Sequence, residues 1–187
     1  TAAAGAFTEG LNATFGANTG AALNNGGAIG LLAGGAGNST AMNVGVDTAT
    51  AGARSGTVTV NYVSDGTNTS GLGQTAVGSQ TINVGGNVYQ IAQPAIGTSV
   101  ALANQRVGGT LTQGVGITNT SAAPAGFQEG LDVAVNATGG AATGIGSITN
   151  LAQGQASNSA IQVGVNTATS GAKAGTVTLG LASNGAG

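Results

Sequence analysis

The chain has 187 residues with only three basic and five acidic side chains, a net charge of −2, and neither cysteine nor histidine. Those absences exclude disulfides, thiolate or imidazole metal sites and Cys- or His-based nucleophile pairs. Without clustered Lys and Arg there is no phosphate-binding surface, which excludes nucleic acid as a partner, and the Gly- and Asn-interrupted apolar runs contain no membrane span.

The first predicted strand lies around Met42, Val44 and Val46, which alternate with Asn43, Gly45 and Asp47. "TATAGARSG" (48–56) follows, and its small residues and glycines suit a hairpin connection. "SGTVTVNYVS" (55–64) then places Val58, Val60 and Tyr62 on one face and Thr57, Thr59 and Asn61 on the other. That period of two is a half-buried strand. "SQTINVGGNVYQ" (79–90) reads as a closing strand, and Pro94 marks a junction. Further strands are expected in "TSVALAN" (98–104) and "GTLTQGVGITNT" (109–120), and after the break "SAAPAG" in "FQEGLDVAVN" (127–136). "GIGSITNL" (144–151), "SAIQVGVN" (159–166) and "GTVTLGLAS" (175–183) complete the series.

Part of this series is written twice. "NVGVDTATAGARSGTVTVNYVSDG" (43–66) returns as "QVGVNTATSGAKAGTVTLGLASNG" (162–185), a separation of 119. "GAFTEGL" (5–11) returns as "AGFQEGL" (125–131), a separation of 120. Two matches at nearly one period indicate a duplicated unit of domain size. Seven short strands per unit without helical periodicity predict tandem immunoglobulin-like antiparallel β-sandwiches, over residues 1–93 and 94–187. A right-handed β-solenoid is the rival, but a coil-length period of about 20 residues is missing.

The stretches "NQRVGGTLTQGVGITNTS", "FQEGLDVAV", "VGVNTATSGAKAGTVTL" and "GSQTINVGGNVY" resemble the choice-of-anchor D repeats of large bacterial secreted and cell-surface proteins. The resemblance covers nearly the whole chain. It implies an extracellular immunoglobulin-like module, often in tandem, and no catalytic residues. In the repeat alignment Thr1 corresponds to Ser121 and Gly187 to Asn68. The first unit is therefore expected to lack its first strands and the second its last. Such gaps would uncover Val58, Val60, Val177 and Leu179 and leave unpaired strand edges. Neighbouring copies, or continuous repeats, are expected to fill them by strand addition.

Few side chains qualify as a site. Glu9 and Glu129 are equivalent, as are Arg54 and Lys173, and a surface ion pair in each unit is the simplest reading. Asp47 and Asp65 become Asn166 and Asn184, an exchange that turn hydrogen bonding tolerates and acid–base catalysis does not. "SDGTN" (64–68) supplies one carboxylate, too few for calcium. Sequons at Asn12, Asn38, Asn68, Asn119 and Asn136 mark candidate exposed loops. Phe7 and Phe127 are expected to be core anchors.

No catalytic, cofactor-binding or metal-binding residue is assigned. The expected function is that of a non-enzymatic structural subunit of a bacterial extracellular fibre, sheath or surface layer, partnered by copies of itself. An adhesin stalk or module binding a glycan or another cell is the alternative, although only two Tyr and three Phe are available for sugar stacking. An ice-binding surface would need more than the single Thr-X-Thr at 57–59 and 176–178.

Overall fold

The structure, a computed structural model, describes residues 2–185. Among these the chain is all-β, with no helix, and its sheets are antiparallel, as a β-sandwich requires. It divides into two units, Thr1–Val88 and Tyr89–Gly187.

The first unit contains β1 (Gly10–Gly20), β2 (Ala22–Asn24), β3 (Ala28–Leu32), β4 (Val44–Val46), β5 (Gly52–Asp65) and β6 (Gln74–Val88). Its main sheet has the order β3-β1-β5-β6, and β2 pairs with β4 separately. The β-branched alternation of β5 gives the expected result: Val58 and Val60 are buried, while Thr57 and Thr59 on the opposite face are half-exposed. These two valines are not uncovered, because β6 pairs with β5 along its whole length, from Gly52↔Val88 to Asp65↔Gln74.

The second unit contains β7 (Pro94–Ile96), β8 (Thr112–Gly114), β9 (Ile117–Asn119), β10 (Gly130–Gly140), β11 (Ala142–Ile145), β12 (Ser147–Leu151), β13 (Ala156–Ser157), β14 (Gln162–Val165) and β15 (Gly175–Asn184). Three sheets result, β12-β10-β15, β11-β14-β8 and β13-β9-β7. Ile117, Leu131, Val133 and Ile161 are almost completely buried and form the centre of one core with Ala92, Val115 and Ile148. Each such side chain contributes about 1.5–3 kcal/mol relative to exposure. Pro94 opens β7, an edge strand, where its missing N–H breaks no ladder.

The duplicated stretches share their ladders. Leu11↔Leu32 and Ala13↔Ile29, with a bulge between, match Leu131↔Leu151 and Val133↔Ile148 with a bulge at the same place. Gly10↔Asp65 and Gly20↔Gly56 match Gly130↔Asn184 and Gly140↔Gly175. The chain leaves the sheet at the same glycines, Gly20 (φ 58°) and Gly140 (φ 66°). In each case the next residue bonds in two directions. Ala21 donates to Ser55 O (2.9 Å) and accepts from Asp47 N (2.8 Å), and Ala141 does the same with Ala174 and Asn166 at the same distances. A Cβ at either glycine would press on a backbone carbonyl, so the switch between sheets needs glycine there.

Several strand expectations are corrected by this switching. Residues 98–104 form no strand. The 109–120 stretch splits into β8 and β9, and the 144–151 stretch into β11 and β12, with each pair divided between two sheets. The "TATAGARSG" and "TATSGAKAG" segments are not hairpin loops. β4 pairs with β2 while β5 pairs with β1, and β14 pairs with β11 while β15 pairs with β10, so each loop crosses from one sheet to another.

Candidate functional site

The repeated acids do not meet the repeated bases. Glu9 accepts hydrogen bonds from Ser64 Oγ (2.6 Å) and from Ser70 Oγ, and Glu129 accepts one from Ser183 Oγ (2.6 Å). Arg54 pairs instead with Asp47, Nη2 to Oδ2 at 3.2 Å, and Lys173 Nζ donates to Thr169 Oγ1 at 2.7 Å. The reason is strand length. Glu9 lies where β1 begins, beside the end of β5, whereas Arg54 lies at the other end of β5. At about 3.3 Å per residue the two are roughly 30 Å apart. The Ser64 hydroxyl, and after it that of Ser70, holds the Glu9 carboxyl below the usual carboxylate range.

Beside each glutamate lies a carboxylate–carboxamide clasp. In the first unit Asn12 on β1 donates from Nδ2 to Asp65 Oδ2 on β5 at 2.9 Å. In the second the chemistry is exchanged between strands, with Asn184 on β15 donating to Asp132 on β10 at 3.2 and 3.1 Å. The Oδ1 of the β1 or β10 side chain also takes up a backbone N–H from the neighbouring strand. Leu31 N–H donates to Asn12 Oδ1 and Asn150 N–H to Asp132 Oδ1, both at 2.6 Å. Leu31 (φ 49°) and Asn150 (φ 55°) are the two non-glycine residues with positive φ among the described residues. The clasp therefore fixes the same unusual backbone turn in both units.

Asp65 does more than serve a turn. It is buried and receives Thr67 Oγ1, Thr67 N (3.0 Å), Gln74 Nε2 (2.7 Å) and Asn12 Nδ2. The Thr67 hydroxyl, then the Thr67 amide, Gln74 and Asn12, hold its carboxyl far below the normal range. Its oxygens in "SDGTN" are thus engaged by protein donors. Asp47 and Asn166 are turn residues, each accepting from the amide two residues on, Ala49 and Ala168, at 2.9 Å.

Sequence reasoning missed Asn119. As a sequon it is expected on an exposed loop, yet it is fully buried at the end of β9. Its Nδ2 donates to Glu129 O (3.2 Å) and Leu151 O (3.0 Å), and its Oδ1 accepts from Gln93 N (3.1 Å) and Ser121 N (3.2 Å). All four hydrogen-bonding positions of the amide are used, joining β9 to the chain beside β7, β10 and β12. The aromatic expectation also divides. Phe127 is half-buried and packs on Tyr89 with ring centroids 5.7 Å apart, whereas Phe7 is fully exposed and anchors no core. Among the described residues no group of three or more His, Cys, Asp or Glu gathers, and no helix is long and apolar enough to cross a membrane.

The remaining feature is an open strand edge. β15 is the last strand of β12-β10-β15, while its sequence equivalent β5 is flanked on both sides by β1 and β6. Val58 and Val60 are buried under that arrangement, but their equivalents Val177 and Leu179 are only half-buried and Leu181 is 46% exposed. Val177 and Leu179 line a cleft of about 860 Å³, walled by Val163 on β14 and by Val100 and Leu102 in the strandless 97–107 segment. No known protein family, curated protein or solved structure matches this chain.

Proposed function

We propose that the chain is a non-enzymatic structural subunit of a bacterial extracellular fibre, sheath or surface layer, assembling head to tail with strands shared between neighbouring units. The observation that carries this reading is the outer edge of β15. The equivalent edge of β5 is occupied by β6, and two valines are buried there. On β15, from Gly175 to Ser183, no strand lies on that side, and the same apolar row is only half-buried at Val177 and Leu179 and exposed at Leu181. An unpaired row of N–H and C=O groups beside a half-open core is a template for another strand. The rest of the chain favours close lateral contact: 4% charged residues and 37 glycines leave little charge or bulk to repel a neighbour. The charged and amide groups described above are spent on internal clasps, which suits a scaffold. The resemblance to choice-of-anchor D repeats supports a location outside a bacterial cell and a role built on scaffold rather than chemistry. Negative-stain electron microscopy of purified protein at rising concentration tests the reading. Filaments or sheets with a repeat along their axis are expected, and particles of single-chain size at every concentration would refute it.

A further inference from the structure

Among the described residues β15 is one of two long, undefended edges. Natural sheets blunt their edges by keeping them short, by placing Lys or Pro on them, or by bulging them away. The opposite edges of both main sheets follow that rule, since β3 and β12 have five residues each. β6 and β15 do not, having 15 and ten residues with no charged side chain and no proline in either. β6 carries one bulge, near Gly78, and the run from Ser79 to Val88 beyond it is regular and as long as β15. Almost all of β6 is exposed although one of its sides is fully paired with β5. Alternate residues of a strand direct their N–H and C=O to opposite sides, so the second side of β6 is free to bond.

We propose that the free side of β6 in one copy adds to the free edge of β15 in a second copy, in antiparallel sense and through Ser79–Val88. This rests on the assembly reading above and names its two contact surfaces. The first unit shows that the lane beside this strand takes an antiparallel neighbour. β6 runs along β5 through Gly56↔Val84, Val58↔Ile82 and Val60↔Gln80, and a Cβ built at Gly86 would lie 3.8 Å from Val46 on β4. Val46 corresponds to Val165, which lines the cleft beside β15. Because β6 would pair through the side opposite to the one it presents to β5, an antiparallel β6 laid on β15 is turned over. Thr81, Asn83 and Gly85, which face solvent in the first unit, are thereby brought beside the cleft that holds Val177 and Leu179. Because donor and acceptor lie on different units, the contact is heterologous, and each copy keeps one free surface of each kind.

Lysines added at exposed positions separate the two surfaces. Thr178→Lys with Leu181→Lys blocks the acceptor, and Gln80→Lys with Thr81→Lys blocks the donor; all four positions are exposed. Mass is followed by light scattering from micromolar to millimolar concentration, with circular dichroism melts to verify folding. The expected result is growth of the unmodified chain, single-chain mass for each variant alone, and two-chain particles that grow no further when the variants are mixed. If the unmodified chain grows and either variant grows with it, the edge assignment is wrong while the fibre reading stands. If variants that melt like the unmodified chain stay single when mixed, the assignment is likewise overturned. If the unmodified chain never grows, both are overturned.

Discussion

At the scale of single residues, the buried polar groups are the most exposed to test. Asn119 satisfies two carbonyls and two amides at once, and no other common side chain offers two donors and two acceptors in that volume. Asn119→Asp keeps the shape but turns an acceptor oxygen toward Glu129 O and Leu151 O. It should cost about 3 kcal/mol or more near neutral pH, because it buries charge against two lone-pair partners. Thermal melts would show the loss, and the loss should shrink on acidification as the new carboxyl protonates. Asp65 works in the opposite direction. Its carboxyl is held well below the unfolded value of about 3.9, chiefly by the hydroxyl and amide of Thr67. Its contribution is complete above about pH 4 and is lost as pH falls from there toward the folded value. Glu9 adds a contribution of the same sign. Urea unfolding of the first unit between pH 2 and pH 6 should therefore show stability falling on the acid side, and carbon NMR should find Asp65 still ionised when ordinary aspartates have protonated. A normal titration of Asp65 would contradict the described network.

At the scale of elements, the positive-φ residue beside β1 and β10 sets the shape of the sheet edge. Leu31 holds a left-handed conformation that costs a residue with a Cβ roughly 1–2 kcal/mol, whereas the equivalent Asn150 suffers less because asparagine tolerates it. Leu31 is 43% exposed, so removing its side chain gives up only part of a full burial. Leu31→Asn should then stabilise the first unit by about 0.5–1 kcal/mol, and Asn150→Leu should destabilise the second by a similar amount, both measured as shifts in urea midpoint. The sequence could not announce this turn, because nothing in "GLLAGG" marks Leu31 for positive φ. The period-two runs were legible: β5, β6, β10, β14 and β15 all fall within or across their expected stretches, because alternation directly reports which face is buried. Sheet switching was not legible. Nothing in "GIGSITNL" marks Gly146 as a corner, and only the pairing of β11 with β14 and of β12 with β10 reveals it. The loops after β4 and β14 were misread for a related reason, since small residues and glycines serve a hairpin and a crossover equally well. Glu9 and Glu129 are recognisable as equivalent positions, and their partners Ser64 and Ser183 repeat at the same 119-residue separation. A serine hydroxyl is nevertheless a less obvious partner for a carboxylate than the repeated Arg54 and Lys173.

At the scale of the whole molecule, the distribution of charge decides how assembly should respond to its surroundings. Three basic and five acidic residues are spread through 187, and both proposed contact strands carry none. Association through β6 and β15 would then rest on ladder hydrogen bonds and on covering Val177, Leu179 and Leu181, none of which is weakened by screening. Raising sodium chloride from about 0.05 M to about 0.5 M shortens the Debye length from roughly 14 Å to roughly 4 Å, yet the midpoint of association should stay within a factor of two. Association also binds the folded state alone, so it should raise thermal stability by mass action. Each tenfold increase in protein concentration is worth up to about 1.4 kcal/mol, or a few degrees in melting temperature for a unit of this size. The acceptor-blocked variant should lose that dependence and melt at one temperature at every concentration. A melting temperature independent of concentration in the unmodified chain, or an association that dissolves in moderate salt, would show that ladder addition is not what holds copies together.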